Sequence, residues 1–340
     1  MTLGVARGEA VDLRPGQGTR VGVLLPHFGD ESRWERLFGF SPRLEELGYR
    51  SVWVRDHINF HPHAFEGQSR RFVDPFIALT AVGMLTRRMV LGTGTLVPFR
   101  HPLVVSQLFG SLADVCGNRI VAGIGAGGAA HSFEAVEMPY ESRWQACREL
   151  AHILRLTWSS DNLSYPGKLY QFQNVTIDPR PAPNTPIWYA GASERAIKRV
   201  LEYADGWLAR SPRRTFDKGI ALLREAEAKS SKCYGIGLMP MVSIAKDRET
   251  ALAKIDLPGL ITWVGRRASE GTFETADDLA GILIAGSPAD CAAEIDQFVA
   301  RGVDQLVLDL RLRLPDYEES LEWIAEEVLP MVNLGQRQQA

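Results

Sequence analysis

Residues 45–57 read Glu45-Glu46-Leu47-Gly48-Tyr49-Arg50-Ser51-Val52-Trp53-Val54-Arg55-Asp56-His57. A helical pattern over residues 32–47 ends at Gly48, because glycine adopts the left-handed turn that closes a helix at little steric cost. The next run, residues 51–54, is apolar without polar alternation. That pattern predicts a strand covered on both faces, as in a parallel sheet flanked by helices. The charged trio Arg55-Asp56-His57 then leaves the strand, which completes one helix, turn, strand and polar loop.

The unit recurs along the chain. Strands are predicted over residues 21–25, 51–54, 89–95, 119–124, 187–190, 205–208, 236–244 and 302–310. Helices are predicted over residues 32–47, 75–85, 103–115, 141–158, 193–203, 215–229, 288–300 and 316–331. Asp74-Pro75 marks a helix start, the aspartate as cap and the proline in the first turn. Residues 163–177 read as a small hairpin. Residues 247–285, with Pro258, Gly259, Gly265 and Gly271, are poorly periodic and too long for a connector. They are expected to form an insertion over the barrel mouth, between strand seven and the following helix. Eight β/α alternations predict an α/β fold, a single (β/α)8 TIM barrel spanning 19–332. A doubly wound open sheet is the alternative. Residues 1–18 and 333–340 are expected to be a flexible arm and tail.

The composition narrows the function. With 340 residues and 45% hydrophobic content, the chain can bury a core without disulfides. A net charge of −3 gives no basic field for nucleic acid or an anionic membrane. No apolar run reaches the length of a membrane span, and residues 1–20 lack the apolar segment of a signal peptide. Cys116, Cys147, Cys233 and Cys291 form no CxxC pair, so reduced thiols and a cytoplasmic setting are expected. The first lysine is Lys168, so no Schiff base can form on the first 167 residues.

In a barrel the chemistry sits where strands end. All seven histidines lie at or before residue 152, and His27, His57 and His101 each follow a strand closely. His61-Pro62-His63 has the spacing of a metal pair. No later histidine exists to complete a zinc site, so no metal is expected. Residues 123–128, Gly-Ile-Gly-Ala-Gly-Gly, bring bare backbone to the end of a strand, where a flat ligand can lie close. Gly191-Ala192-Ser193 falls between a strand and a helix, and the unpaired N–H groups of a helix start suit an anion.

Taken in order, these segments resemble the bacterial luciferase-like superfamily of flavin- and deazaflavin-dependent oxidoreductases. The resemblance rests on Leu25-Pro26-His27-Phe28-Gly29, on residues 45–57, and on Leu91-Gly92-Thr93-Gly94-Thr95 with Arg100-His101-Pro102. It continues through Gly123-Ile124-Gly125-Ala126-Gly127, Ile187-Trp188 to Ser193, and Ala204-Asp205-Gly206-Trp207, and covers about residues 20–312. It implies a cofactor ring in the barrel mouth and His57 as the active-site histidine. It further implies a non-prolyl cis peptide at Gly94–Thr95 and a cofactor phosphate on the backbone of Gly191, Ala192 and Ser193. Asp56 is expected to orient His57 or to cap its loop. Gly125 and Ala126 are assigned to the cofactor, and His27, His61, Arg100, His101 and Gly128 to the substrate pocket. Sugar-phosphate dehydrogenases of the superfamily carry an acid and an aromatic residue where this chain has Gly128 and His61, so that substrate is not expected.

The first expectation for activity is a monooxygenase using reduced FMN from a separate flavin reductase, with oxygen, on a small organic substrate. The alternative is hydride transfer with the deazaflavin coenzyme F-420 and an F-420-reducing system. A lesser alternative is a non-catalytic flavin-binding partner chain. The resemblance also implies a homodimer.

Overall fold

In the computed structural model, which describes residues 13–267 and 271–335, strand after strand pairs in parallel until the sheet closes on itself. The strands are β1 (Arg20–Leu24), β2 (Ser51–Val54), β3 (Val90–Thr93), β4 (Ile120–Ile124), β5 (Leu163–Pro166), β6 (Gln171–Val175), β7 (Ile187–Ala190), β8 (Gly206–Ala209), β9 (Gly235–Leu238), β10 (Met241–Ile244), β11 (Leu283–Gly286) and β12 (Gln305–Leu308). The closed barrel runs β1-β2-β3-β4-β7-β8-β9-β12 and back to β1. Its strands are buried along their length, apart from the mouth-side end of β7, so their apolar runs have no solvent face to alternate with. The TIM barrel is therefore the fold.

The helices are α1 (Trp34–Glu46), α2 (Pro75–Leu85), α3 (Pro102–Cys116), α4 (Ala130–Glu134), α5 (Arg143–Thr157), α6 (Glu194–Tyr203), α7 (Arg213–Ala228), α8 (Arg248–Ala253), α9 (Leu257–Gly265), α10 (Pro288–Val299) and α11 (Tyr317–Trp323). Asp74 caps α2 by accepting the N–H groups of Phe76 and Ile77 at 2.9 and 3.3 Å. Inside the barrel the Trp53 indole lies over Gly92, where an added Cβ would stand 2.4 Å from the ring. That is why a glycine interrupts an otherwise branched strand.

Three expectations are corrected. The seventh predicted strand, 236–244, is two strands. Pro240 has no N–H to continue the ladder, so β9 ends at Leu238, and β10 turns away to pair in parallel with β11 outside the barrel. The excursion thus begins earlier than expected, and residues 283–285, at the end of its poorly periodic stretch, belong to a strand. It also has its own hydrophobic cluster, including Met241, Ala251, Leu260, Val264, Leu279 and Leu283. At the termini, residues 13–18 and 333–335 are not loose. Leu13 packs against the main core, the Gly16 N–H donates to Asp304 Oδ1 at 2.6 Å, and Thr19 donates to the Leu334 carbonyl at 3.1 Å. Residues 1–12 and 336–340 of the expected arm and tail lie outside the described residues. The last helix, expected over 316–331, is α11 followed by a π turn and a 3-10 turn.

Candidate active site

The loops beyond the barrel strands enclose a two-lobed cavity. The larger lobe, about 630 Å³, is lined by His57, His61, Gly94 and Gly128, with arginines 55, 210, 267 and 311. The smaller, about 330 Å³, is lined by Gly125, Ala126, Ala190, Gly191, Ala192 and Leu208. Thr95, Gly127, Arg210, Trp263 and Arg267 face both, so the lobes meet there. Trp263 and Arg267 come from α9 and the turn after it. Trp263 rests on His63 and Phe65 across the mouth, with ring centroids 5.3 and 5.7 Å apart.

One wall of the smaller lobe, Gly125 to Gly127 with Gly191 and Ala192, carries almost no side chain. Packing enforces this. A Cβ on Gly125 would lie 2.5 Å from Thr95 Oγ1, one on Gly127 2.6 Å from Val97, and one on Gly191 2.5 Å from Ala196. The surface left is backbone and alanine methyls, a slot for a flat ring. The Gly94–Thr95 peptide at its edge is cis. Gly191 and Ala192 line the slot, whereas Ser193 stands at the N-cap of α6 and lines neither lobe.

The larger lobe is organised by a buried ion network. Arg55 Nη1 donates to Glu66 Oε1 at 2.9 Å, and Arg311 Nη1 donates to the same oxygen at 2.8 Å. Arg311 Nε reaches Asp309 Oδ2 at 2.7 Å, as does Arg210 Nη2. Three guanidinium groups thus face two carboxylates, one positive charge in excess. Burial lowers Arg55 to about 10 and Arg210 to about 9, so both stay cationic at neutral pH. Arg55 and Arg311 hold Glu66 well below the usual carboxylate range, against the opposing pull of burial.

His57 lines this lobe. Burial, helped by the Arg55 charge, pushes its pKa down to about 3, while Glu66 opposes. The imidazole is neutral at physiological pH, not poised near neutrality as its ordinary value would suggest. Its ring is wedged edge-on against Phe60 and Phe72, at 5.3 and 5.2 Å. Asp56 does not orient it. The Asp56 carboxylate takes the Arg100 guanidinium at 2.8 Å and the Val97 N–H at 3.1 Å, which ties the β3 loop to the end of β2. Arg100 also bridges to Asp74 at 2.9 Å, so it braces the rim instead of lining the pocket.

Two histidines leave the substrate pocket. His101 is the exposed N-cap of α3, accepting the Leu103 N–H, with its ring against Tyr170. His27 is wholly buried. Its Nε2 accepts the Arg55 N–H at 2.9 Å, and its Nδ1 donates to the Val73 carbonyl at 3.3 Å. His61 and Gly128 remain on the cavity wall. Glu66, Arg210 and Arg311 were missed. Arg210 directly follows β8 and Arg311 lies two residues past Asp309, so the rule of inspecting every strand end would have found both. Glu66 lies far along a loop and carries no such signal. Among the described residues, no group of three or more His, Cys, Asp or Glu side chains is placed to hold a metal.

Burial of His27 makes a prediction. Its pKa is pushed down to about 3, first by desolvation and then by Arg55. In the unfolded chain it takes a proton near 6.5. The unfolded state therefore binds more protons below that value, so the stabilisation is complete above pH ~6.5 and is lost as pH falls towards about 3. The slope is about 1.4 kcal/mol per pH unit for each such histidine. Denaturation midpoints of His27→Gln across this range should show a pH slope shallower by about one proton. An unchanged slope would mean that His27 does not fold in its neutral form.

A family model described as luciferase-like monooxygenase matches residues 19–305. The chain belongs to that family, whose members are oxidoreductases. Among curated relatives, an F420-dependent glucose-6-phosphate dehydrogenase of Amycolatopsis mediterranei is 27% identical over 86% of this chain and 93% of its own length. An F420-dependent hydroxymycolic acid dehydrogenase of Mycobacterium tuberculosis is 28% identical over 56% of this chain and 52% of that protein. Among solved structures, a monooxygenase of Streptomyces bottropensis superposes with a TM-score of 0.72 at 23% identity, covering 92% of this chain and 99% of the other. An F420-dependent secondary alcohol dehydrogenase gives 0.76 at 18% identity, over 93% and 99%. At these identities the superpositions speak to the fold.

Proposed function

We propose that this protein is an F420-dependent oxidoreductase that moves a hydride between the cofactor and an alcohol or carbonyl carbon of a small organic substrate. The observation that carries the reading is the near end-to-end likeness to F420-dependent dehydrogenases, 86% of this chain against 93% of the relative. The FMN monooxygenase placed first from the sequence draws on the family description and on fold likeness alone, and becomes the second outcome of the test below.

The site's own parts fit a deazaflavin. The bare backbone wall formed by Gly125, Ala126, Gly191 and Ala192 suits a planar ring. When bound, the cofactor supplies two-electron hydride chemistry at its ring. The chain does the rest. Arg210, Trp263 and Arg267 separate slot from substrate lobe and hold a ligand at their junction. His57 meets the substrate oxygen, where charge changes as the C–H bond forms or breaks. The α9 segment covers the mouth and keeps water out.

The substrate differs from that of the sugar-phosphate relatives. The resemblance implies an acid and an aromatic in that subfamily where Gly128 and His61 stand here, and a Cβ on Gly128 would meet nothing within 4 Å. Gly128→Trp should leave stability and F420 affinity unchanged while raising substrate KM roughly tenfold or more, as bulk does in a fitted pocket. An unchanged KM would remove Gly128 from the substrate wall.

The reading is tested by anaerobic fluorescence titration of the apo-protein with F420 and, separately, with reduced FMN, followed by admission of air. Selective F420 binding with no oxygen adduct supports it. Tight reduced-FMN binding with a transient adduct would replace it with the monooxygenase.

A further inference from the structure

The end of β2 sets two side chains, Arg55 and His57, on one side of the chain facing the same lobe. Arg55 Nη2 lies 3.3 Å from His57 Nε2. A guanidinium has donors only, so Nε2 must accept, and the imidazole proton resides on Nδ1. Arg55 is not free to turn away. Its other terminal nitrogen is fixed on Glu66, which Arg311 also clamps from the loop after β12, two strands away. Its guanidinium is stacked over Phe28 and Phe60, at 4.5 and 5.2 Å from the ring centroids. The His57 ring is itself confined between Phe60 and Phe72. Nδ1 has no hydrogen-bond partner among the described residues, and the ring lines the substrate lobe.

We propose that Arg55 is a positioning residue that locks His57 in the Nδ1–H tautomer, so that His57 meets the substrate oxygen as a hydrogen-bond donor and not as a base. The role given to the donor rests on the function proposed above; the tautomer itself does not. A neutral imidazole that donates can polarise a carbonyl without carrying a charge into the site. The groups facing His57 are consistent with this duty: Arg55 and Arg311 disfavour the imidazolium, Glu66 alone favours it, and His63 adds to the arginines. A histidine base is oriented by an acceptor, a carbonyl or a carboxylate, at its other ring nitrogen. Here Glu66 spends its oxygens on Arg55, Arg311 and the His63 N–H.

The test is nitrogen-15 NMR of the histidine rings in the full chain without cofactor, at neutral pH. His27 is the internal reference. It is also held as Nδ1–H, but by the backbone N–H of residue 55, which side-chain substitution does not remove. The expected wild-type result is a neutral His57 with a pyridine-like Nε2 and a pyrrole-like Nδ1. In Arg55→Met the tautomer preference of His57 should be lost while the His27 signals stay in place. A wild-type spectrum showing Nε2–H or the imidazolium would overturn the proposal without any variant. So would an Arg55→Met spectrum in which His57 keeps Nδ1–H. If F420 fails to bind but the tautomer is as expected, the cofactor reading falls and the role of Arg55 stands.

Discussion

His57→Leu is expected to lower kcat by about 10²–10³-fold, the span for removing one hydrogen-bond donor aimed at charge that develops in the reaction, with F420 affinity largely unchanged. The two readouts separate because the two lobes do. His57 lines the substrate lobe, whereas the ring slot is built from Gly125, Ala126, Gly191 and Ala192, just beyond the ends of β4 and β7. Leucine carries no donor and fills more of the space against Phe60 and Phe72 than alanine does. Steady-state kinetics and a fluorescence titration on the same preparation decide the matter. Turnover within a few-fold of the parent would remove His57 from the chemistry. Loss of cofactor binding in step with kcat would place the ring in the histidine lobe.

The second large effect concerns stability. Asp309→Ala should destabilise the fold by about 3–5 kcal/mol, the range for breaking a buried pair and stranding its partner charge. Here two partners are stranded. Asp309 is wholly buried and takes both Arg311 Nε and Arg210 Nη2 at 2.7 Å. Without it, the net charge of the network rises from one excess positive to two. Arg311 and Arg210 hold the Asp309 carboxyl below its ordinary value against the cost of burial. Its contribution is therefore present above the ordinary carboxylate pKa, near 4, and lost as pH falls below it. At pH 7 the full loss should appear in urea denaturation. A change below about 1 kcal/mol, the size of an exposed pair, would show that the network is well solvated.

What the sequence made legible follows from range. The β/α units were readable because each is local: Gly48 stops α1, Asp74-Pro75 starts α2, and the apolar run at 51–54 is a complete strand. The backbone of the slot was readable for the same reason, since its glycines follow directly on the apolar runs of β4 and β7. The ion network was not. Glu66 and Arg311 are 245 residues apart, and Arg210 and Asp309 are 99 apart. Such pairs exist only once the barrel has closed. The same limit explains His27, which follows a strand as His57 does yet turns into the core, because the backbone at Arg55 and Val73 needed partners. Strand seven failed on one residue: the apolar pattern runs through Pro240, and only the missing N–H shows that the ladder stops there.

The excursion has a root and a core of its own. Asp309 donates its N–H to the Pro240 carbonyl and accepts that of Val242, at 2.9 Å each, which anchors β10 to the end of β12. Beyond that anchor, Met241, Leu260, Val264 and Leu279 pack among themselves and not into the barrel. The excursion's two strands keep Val242, Ile244 and Ile284 in the barrel core, so the part that can be lengthened, recut or exchanged with least disturbance lies between them, residues 245–282. The residues it lends to the cavity, Trp263 and Arg267, would change with it. Substrate range could then diverge in one inserted cassette while the slot and His57 are inherited intact. For an engineer, residues 245–282 are the segment to transplant first.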